Sequence, residues 1–223
     1  MNNLYIVRHA SSESNEGTWS FEKHDGAIPL TELGRTQAHN LGKSLFHELW
    51  DSPIYMFSSP YRRAVETAKG IIEGMSNEAQ RFEKNPKISG PTLIPGLAER
   101  TIKKYDLIKK ELEFVAALPA DEKFYYQSAT IESAMSAASR MQQSIYDIKS
   151  FARTKNSNCP LNIIVVSHSF AIEAWDYLEK INATNKENCN LENFGKKVFP
   201  LEMEGFGEAR RLKNAEYIKL QFD

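Results

Sequence analysis

Cysteine is nearly absent from this chain: Cys159 and Cys189 are the only two in 223 residues. So few thiols in a chain of this length exclude a disulfide scaffold and point to a reduced, intracellular setting. Net charge is nearly absent as well. Lys plus Arg number 28 against 29 Asp plus Glu, a formal charge of -1. That balance excludes a surface built to coat nucleic acid or an anionic membrane, while leaving room for a local basic pocket. No apolar run approaches the ~18 residues of a membrane-spanning helix. The short run near the N-terminus, Leu4–Val7, ends directly in Arg8, as a buried strand does and a signal peptide does not. With no secretion signal expected, Asn182-Ala183-Thr184 is expected to be an accidental match to the glycosylation pattern. Also missing are a Gly-x-Gly-x-x-Gly or Walker phosphate loop and the Cys/His spacing of a zinc cluster. The expectation is a cytoplasmic protein with no metal, no cofactor, no nucleic-acid partner and no membrane partner; the sequence leaves the oligomeric state open.

What is present is an ordinary globular composition, 41% hydrophobic and 26% charged, in a chain long enough for one domain with its own core. Strand and helix patterns alternate. Leu4–Val7 is a continuous apolar run, followed by a polar stretch from Ser11 to Gly26. Thr31 caps a helix whose apolar members Ala38, Leu41, Leu45 and Leu49 recur at helical spacing. Ile54–Phe57 is the next strand, and Arg62 to about Gly74 the next helix. Residues 75–92 read as mostly irregular, with a short strand at Thr92–Ile94. Helical composition returns over 104–117, a loop carries Phe124-Tyr125-Tyr126, and a long helix covers Thr130 to about Ala152. Leu161–Val166 is the strongest central-strand pattern, followed by a helix from Phe170 to Ile181 and an Asn-rich loop, Asn182–Asn193. Strands at 197–202 and Ala215–Phe222 close the chain. Alternating strands and helices predict an α/β fold, a three-layer α/β/α sandwich with a mostly parallel central sheet. The region from about 75 to 160, mainly helical, is expected as an excursion from one domain, 1–223, that walls or caps a site.

Ligands of open α/β sheets bind beyond the carboxyl ends of the strands. Three of these strands end in polar residues: Arg8-His9; Ser58-Ser59 with Arg62-Arg63 in the next turn; and Ser167-His168. Arginine forks meet phosphate oxygens bidentately, and a neutral imidazole beside them is a competent nucleophile for phosphorus. Singly, each signal is weak, since a histidine after a strand or an arginine pair on a helix is more often structural. Together they point to an anion site at one sheet edge.

The motifs themselves carry more. Arg8-His9-Ala10-Ser11-Ser12-Glu13-Ser14-Asn15 resembles the opening motif of the histidine phosphatase superfamily, branch 1, with its phosphoglycerate mutase-like fold. Pro29-Leu30-Thr31-Glu32-Leu33-Gly34 resembles the family's helix-opening segment. Arg63-Ala64-Val65-Glu66-Thr67-Ala68 resembles its second phosphate-arginine segment, which selects Arg63 over Arg62. Leu97-Ala98-Glu99, Val166-Ser167-His168-Ser169 and Asn214-Ala215-Glu216 follow in family order. The resemblance implies a metal-independent phosphomonoester hydrolase working through a phosphohistidine. His9 would be the nucleophile, Arg8, Asn15, Arg63 and His168 would hold the phosphoryl oxygens, and Glu99 would be the general acid, with Glu13 in reserve. The substrate would be a small-molecule phosphate ester or a phosphoprotein.

The sequence also departs from the family pattern. Ala10 and Ser169 stand where glycines are usual, and Ser11 where the mutase-like branch carries glutamate. Alanine is tolerated if φ is negative there. After Leu97-Ala98-Glu99-Arg100 the chain runs Thr101-Ile102-Lys103 and lacks the Tyr-Gly that resembles true mutases, so a mutase is the weaker reading. A phospho-ligand or protein-binding module that lost turnover would use the same pocket and is the alternative of a different class. Candidate substrate-pocket residues are Ser11, Trp19, Phe21, His24, Arg62, Ser169 and Tyr125. For the aromatic members, packing of a cap is the competing role.

Overall fold

The most apolar run of the sequence occupies the middle of the sheet. The structure, a computed structural model, describes residues 1–18, 24–102, 109–155, 159–187 and 212–223. Its elements in chain order are β1 (Asn2–Arg8), α1 (Glu32–Leu49), β2 (Ile54–Ser58), α2 (Arg62–Arg81), β3 (Ile88–Leu93), α3 (Lys109–Ala117), α4 (Ala120–Tyr125), α5 (Ala134–Arg153), β4 (Asn162–Ser167), α6 (Ser169–Glu187) and β5 (Tyr217–Phe222). The strands form one sheet in the order β3-β2-β4-β1-β5. All neighbours are parallel except β5, which runs antiparallel to β1. Every residue of β4 is buried, as a strand flanked by parallel neighbours and covered on both faces requires.

Side-chain alternation divides the core. Tyr5, Val7, Ile54, Met56, Ile164 and Val166 pack with Leu45, Phe46 and Leu49 of α1 and Ala64, Ala68, Ile71 and Met75 of α2. On the other face, Tyr55 and Phe57 meet the Phe151 ring of α5 edge-on at 5.3 and 5.8 Å. Helices therefore cover both faces of a mostly parallel sheet, as the alternation predicts.

Contacts divide the chain into two units. The first, Met1–Ala98, Gln143–Ser169 and Leu212–Asp223, contains the whole sheet; the second is Glu99–Gln142 and Phe170–Arg211. The second unit has its own apolar clusters. Phe124, Ala134, Ala138, Ala174, Tyr177 and Leu178 form one, and Val115 packs with Ile131 in another.

The segment that leaves the sheet-bearing unit begins at Glu99, not near residue 75, because α2 runs on to Arg81 and β3 joins the sheet. Gly74 reads as a helix stop in the sequence, but its role is close packing: a Cβ there would run into the His39 carbonyl of α1. Beyond it Met75, Glu78 and Ala79 are buried. Residues 182–187, expected as loop, continue α6. The expected strand at 197–202, Cys189 and residues 104–108 lie outside the described residues. No helix among the described residues is long and apolar enough to cross a membrane.

Candidate active site

Strand register brings the candidate groups level. Arg8 pairs with Ser167 and Ser58 with Val166. The ladder continues one residue further, His9 N–H donating to Ser167 O at 2.9 Å and Ser59 N–H to Val166 O at 2.9 Å. His9, Ser59 and His168 thus leave the sheet together. The rings of His9 and His168 stand 5.1 Å apart at 60°, and Tyr61 lies edge-on to His168 at 5.2 Å.

The contacts of His9 fix its tautomer. Nδ1 is 2.8 Å from the Ala10 carbonyl, which can only accept, so Nδ1 carries the proton. Arg63 Nε–H points at Nε2 from 3.3 Å, so Nε2 presents its lone pair. His9 is 4% exposed. Burial first, then the neighbouring Arg63 guanidinium and, less strongly, Arg8 push its pKa down from 6.5 to about 3, against the Ala10 carbonyl, which raises it. The ring is therefore neutral at ordinary pH. Ala10 is not among the described residues with positive φ, so its methyl is accommodated, packed with Leu30 and Ala38.

Arg63 sits in the first turn of α2, buried. Nη1 donates to Asp25 O at 2.8 Å and to Asp25 Oδ1 at 3.1 Å, and Nη2 donates to Asp25 Oδ2 at 3.3 Å. Thr67 Oγ1 donates to Arg63 O at 2.7 Å and accepts from Ala10 N–H at 3.0 Å, linking α2 to the end of β1. Arg62, the adjacent arginine, turns outward along α2 and donates to Glu66 Oε1 at 2.6 Å. Arg8 is held from the other side of β1. Its Nη1 donates to Leu212 O at 2.5 Å, and its backbone bonds Glu216 O and Ala215 N, so the Asn214-Ala215-Glu216 turn is its support. His168 is fully buried, with Nε2 2.8 Å from Ser59 Oγ.

The loop after β1 is stitched to the start of α1. Ser11 N–H donates to Gln37 Oε1 and Ser11 Oγ to Glu16, while Thr31 N–H donates to Ser11 O at 3.0 Å. Gly34 is required here, since a Cβ would collide with Ser11 O. Asn15 Oδ1 accepts from both Ser12 N–H and Ser12 Oγ–H, so the amide group of this exposed residue keeps its two N–H donors out of those bonds. Glu13 is tied through its main chain to Pro29 O. His24 Nδ1 accepts from Gly26 N–H, and its ring lies edge-on to Tyr61 at 6.5 Å. Ser169 is half-buried as the first residue of α6. Trp19 and Phe21 lie outside the described residues.

Glu99 and Tyr125 belong to the second unit. Glu99 Oε1 accepts from Arg100 N–H at 2.8 Å, and Glu99 O accepts from Arg140 Nη2 at 2.9 Å. Arg140 in turn is paired with Glu132 at 2.8 Å. Of the aromatic triplet, Phe124 is fully buried and Tyr126 donates its hydroxyl to Glu111. Tyr125 remains 47% exposed against the Phe124 ring.

Three residues of the sheet-bearing unit were not among the expected site residues. Ser59 was legible only as the end of a strand. Thr67 lies inside the arginine motif itself, where its spacing of four from Arg63 put it on the same helix face. Asp25 sits in a polar stretch without periodicity, and no sequence signal marks it.

Comparison with known proteins agrees with this architecture. The histidine phosphatase superfamily (branch 1) family model matches residues 4–212. A Hydrogenobacter thermophilus protein named "Putative phosphoserine phosphatase 2" is 26% identical over 92% of this chain and 91% of its own length. Mycobacterial glucosyl-3-phosphoglycerate phosphatase, solved with VO3, superimposes with a TM-score of 0.62 at 20% identity, covering 99% of this chain and 91% of that one. A phosphoserine phosphatase mutant from Entamoeba histolytica, solved with phosphoserine, gives 0.63 at 18% identity, covering 100% and 92%. With the matched region running from β1 to the start of the last turn, the chain belongs to the histidine phosphatase superfamily, branch 1, and is a phosphatase by family.

Proposed function

We propose that the chain hydrolyses small phosphomonoesters through a phosphohistidine formed on His9 Nε2. The observation that carries this reading is the setting of that atom: Nδ1 lies 2.8 Å from Ala10 O, which leaves the Nε2 lone pair facing the Arg63 guanidinium. In the first step the Nε2 lone pair forms a bond to phosphorus and the ester P–O bond breaks, with Glu99 supplying the proton that the leaving oxygen takes. The imidazolium so formed keeps its Nδ1–H on the Ala10 carbonyl, which stabilises the positive ring. In the second step water attacks phosphorus, Glu99 receives the water's proton, and the N–P bond breaks to return the lone pair to Nε2. Arg8, Arg63 and His168 hold the equatorial oxygens, where charge-assisted bonds strengthen as the transition state forms; Asn15 offers a further N–H donor.

The substrate class rests on the relatives, which by their names act on phosphoserine and on glucosyl-3-phosphoglycerate. A phosphorylated amino acid or sugar acid is the first class to screen, ahead of phosphoproteins. The test is release of phosphate from an aryl phosphate without added metal, native chain against His9→Ala, between pH 5 and 8. Loss of about 10⁴-fold or more in the variant is expected for removal of a nucleophile. Turnover surviving His9→Ala rejects the phosphohistidine.

A further inference from the structure

We infer that Asp25 is the positioning residue for Arg63, aiming one edge of its guanidinium at the phosphoryl group; this rests on the phosphohistidine reading above. A guanidinium offers two paired-donor edges, an end edge of Nη1–H and Nη2–H and a side edge of Nε–H and the second Nη2–H, and either one matches an oxyanion. In this structure the end edge is taken. Asp25 Oδ1 and Oδ2 accept from Nη1 and Nη2 at 3.1 and 3.3 Å, and the Asp25 carbonyl accepts from Nη1 at 2.8 Å. What remains is the side edge, and its Nε–H is already directed at His9 Nε2. An oxygen of a phosphoryl group bonded to Nε2 would meet that edge without rotation of the arginine.

A carboxylate on a phosphate-binding arginine has an opposite interpretation: a plug that substrate must displace. The main chain argues against it. Asp25 grips Arg63 with its carbonyl as well as its carboxylate. That carbonyl belongs to a 3-10 turn, Asp25–Ala27, closed by Ala27 N–H on His24 O at 2.8 Å and by Gly26 N–H on the His24 ring. Withdrawal would require moving the turn rather than rotating a side chain. The pair is also asymmetric: the Arg63 side chain is 6% exposed and that of Asp25 45%, so the acid approaches a fixed, buried cation from its open side. Held this way, the arginine has its orientation set before substrate arrives, the condition under which an electrostatic contact contributes most to the transition state.

The variants are Asp25→Asn, isosteric but placing an N–H₂ against one Nη, Asp25→Ala, and Asp25→Glu. Each is compared with the native chain in kcat and KM for an aryl phosphate, and in calorimetric affinity for vanadate and for inorganic phosphate. Positioning predicts that Asp25→Asn lowers kcat by about tenfold or more with KM within about threefold. It also predicts that vanadate binding, which reports the transition-state geometry, weakens by about the same factor while phosphate binding changes little. Asp25→Glu should recover part of both losses. Tighter anion binding with equal or faster turnover would make Asp25 a plug and overturn the inference. Equal losses for vanadate and phosphate would make it a merely structural contact and overturn the inference as well. Should Asp25→Ala fail to fold, the isosteric Asn variant decides. His9→Ala in the same series separates the two claims. Turnover lost with His9 but untouched in Asp25→Asn rejects only Asp25's role, whereas turnover that survives His9→Ala rejects the phosphohistidine itself.

Discussion

In the sheet-bearing unit, the candidate phosphate-handling groups hang from main chain that the sheet fixes. His9 and Ser59 extend the ladder by one residue beyond β1 and β2, His168 follows β4, and Arg8 is clasped by the turn before β5. In the second unit, the groups around Glu99 are held mainly through side chains. Glu132 and Arg140 of the α5 region pair, Arg140 holds the Glu99 carbonyl, Arg100 donates to Glu132 O at 2.6 Å and lies over the Phe170 ring. A ladder residue cannot shift without breaking pairing on both sides, while a side-chain network can be rebuilt around a different insertion. The expected phosphate-binding residues Arg8, Arg63 and His168 all belong to the sheet-bearing unit, and the expected general acid, Glu99, belongs to the second.

The sharpest way to break that division is to compare neighbours in sequence that the fold separates. Arg63→Ala is expected to lower kcat/KM by about 10³-fold, since it removes a charge-assisted donor pair from a buried site. Arg62→Ala, whose side chain is 57% exposed on Glu66, is expected to change kcat/KM by less than about threefold, as for an exposed helix pair. Steady-state kinetics on an aryl phosphate read both. Equal effects would mean that the register of the arginine motif selects the wrong residue.

Leaving-group dependence tests the second unit. Glu99→Gln should cost about 10²-fold in kcat for an alkyl phosphate, whose leaving oxygen needs a proton. It should cost far less in the first step for an ester of an acidic phenol. Glu13→Gln should leave both esters alike. A Glu99→Gln effect independent of leaving group would assign Glu99 to structure, and leaving-group sensitivity appearing in Glu13→Gln instead would transfer the acid role to the first loop.

How much of this was readable beforehand depends on local pattern rather than on which unit a residue belongs to. The ends of β1, β2 and β4 are legible because each apolar run stops in a polar residue, and parallel pairing of such runs has one register that buries them all. Arg63 is set apart from Arg62 only by the resemblance of Arg63-Ala64-Val65-Glu66-Thr67-Ala68 to the family's arginine segment. The length of α2 is not legible, since a glycine that lets two helices touch looks the same in sequence as one that ends a helix. Asp25 is not legible either: its contact spans 38 residues and follows no period. Nor does the triplet Phe124-Tyr125-Tyr126 disclose which ring faces inward, because in so short a helix a shift of one position exchanges core for surface.

The smallest effect expected concerns proton linkage, and it separates His9 from Glu132 by pH window. His9 is held near a pKa of about 3 against an ordinary 6.5, so between those values the unfolded chain binds a proton that the folded chain refuses. Stability therefore stands at its full value above pH 6.5 and falls as pH drops below it, by about 1.4 kcal/mol per pH unit from this group. In the second unit Glu132 behaves as a depressed carboxylate. Burial works to raise it, but bonds from Arg140, the Thr101 amide and Ser136 together hold it below its ordinary 4.5. Its stabilisation is complete above that value and is lost only as pH falls further. Between pH 6.5 and 5 the His9 contribution acts without that of Glu132. Denaturant unfolding of the native chain and His9→Asn in an oxyanion-free buffer should show the native chain losing about 1.6 kcal/mol relative to the variant over that interval. A constant difference would mean that His9 takes up its proton within the fold, and the neutral Nε2 on which the proposed chemistry depends would be absent at mildly acidic pH.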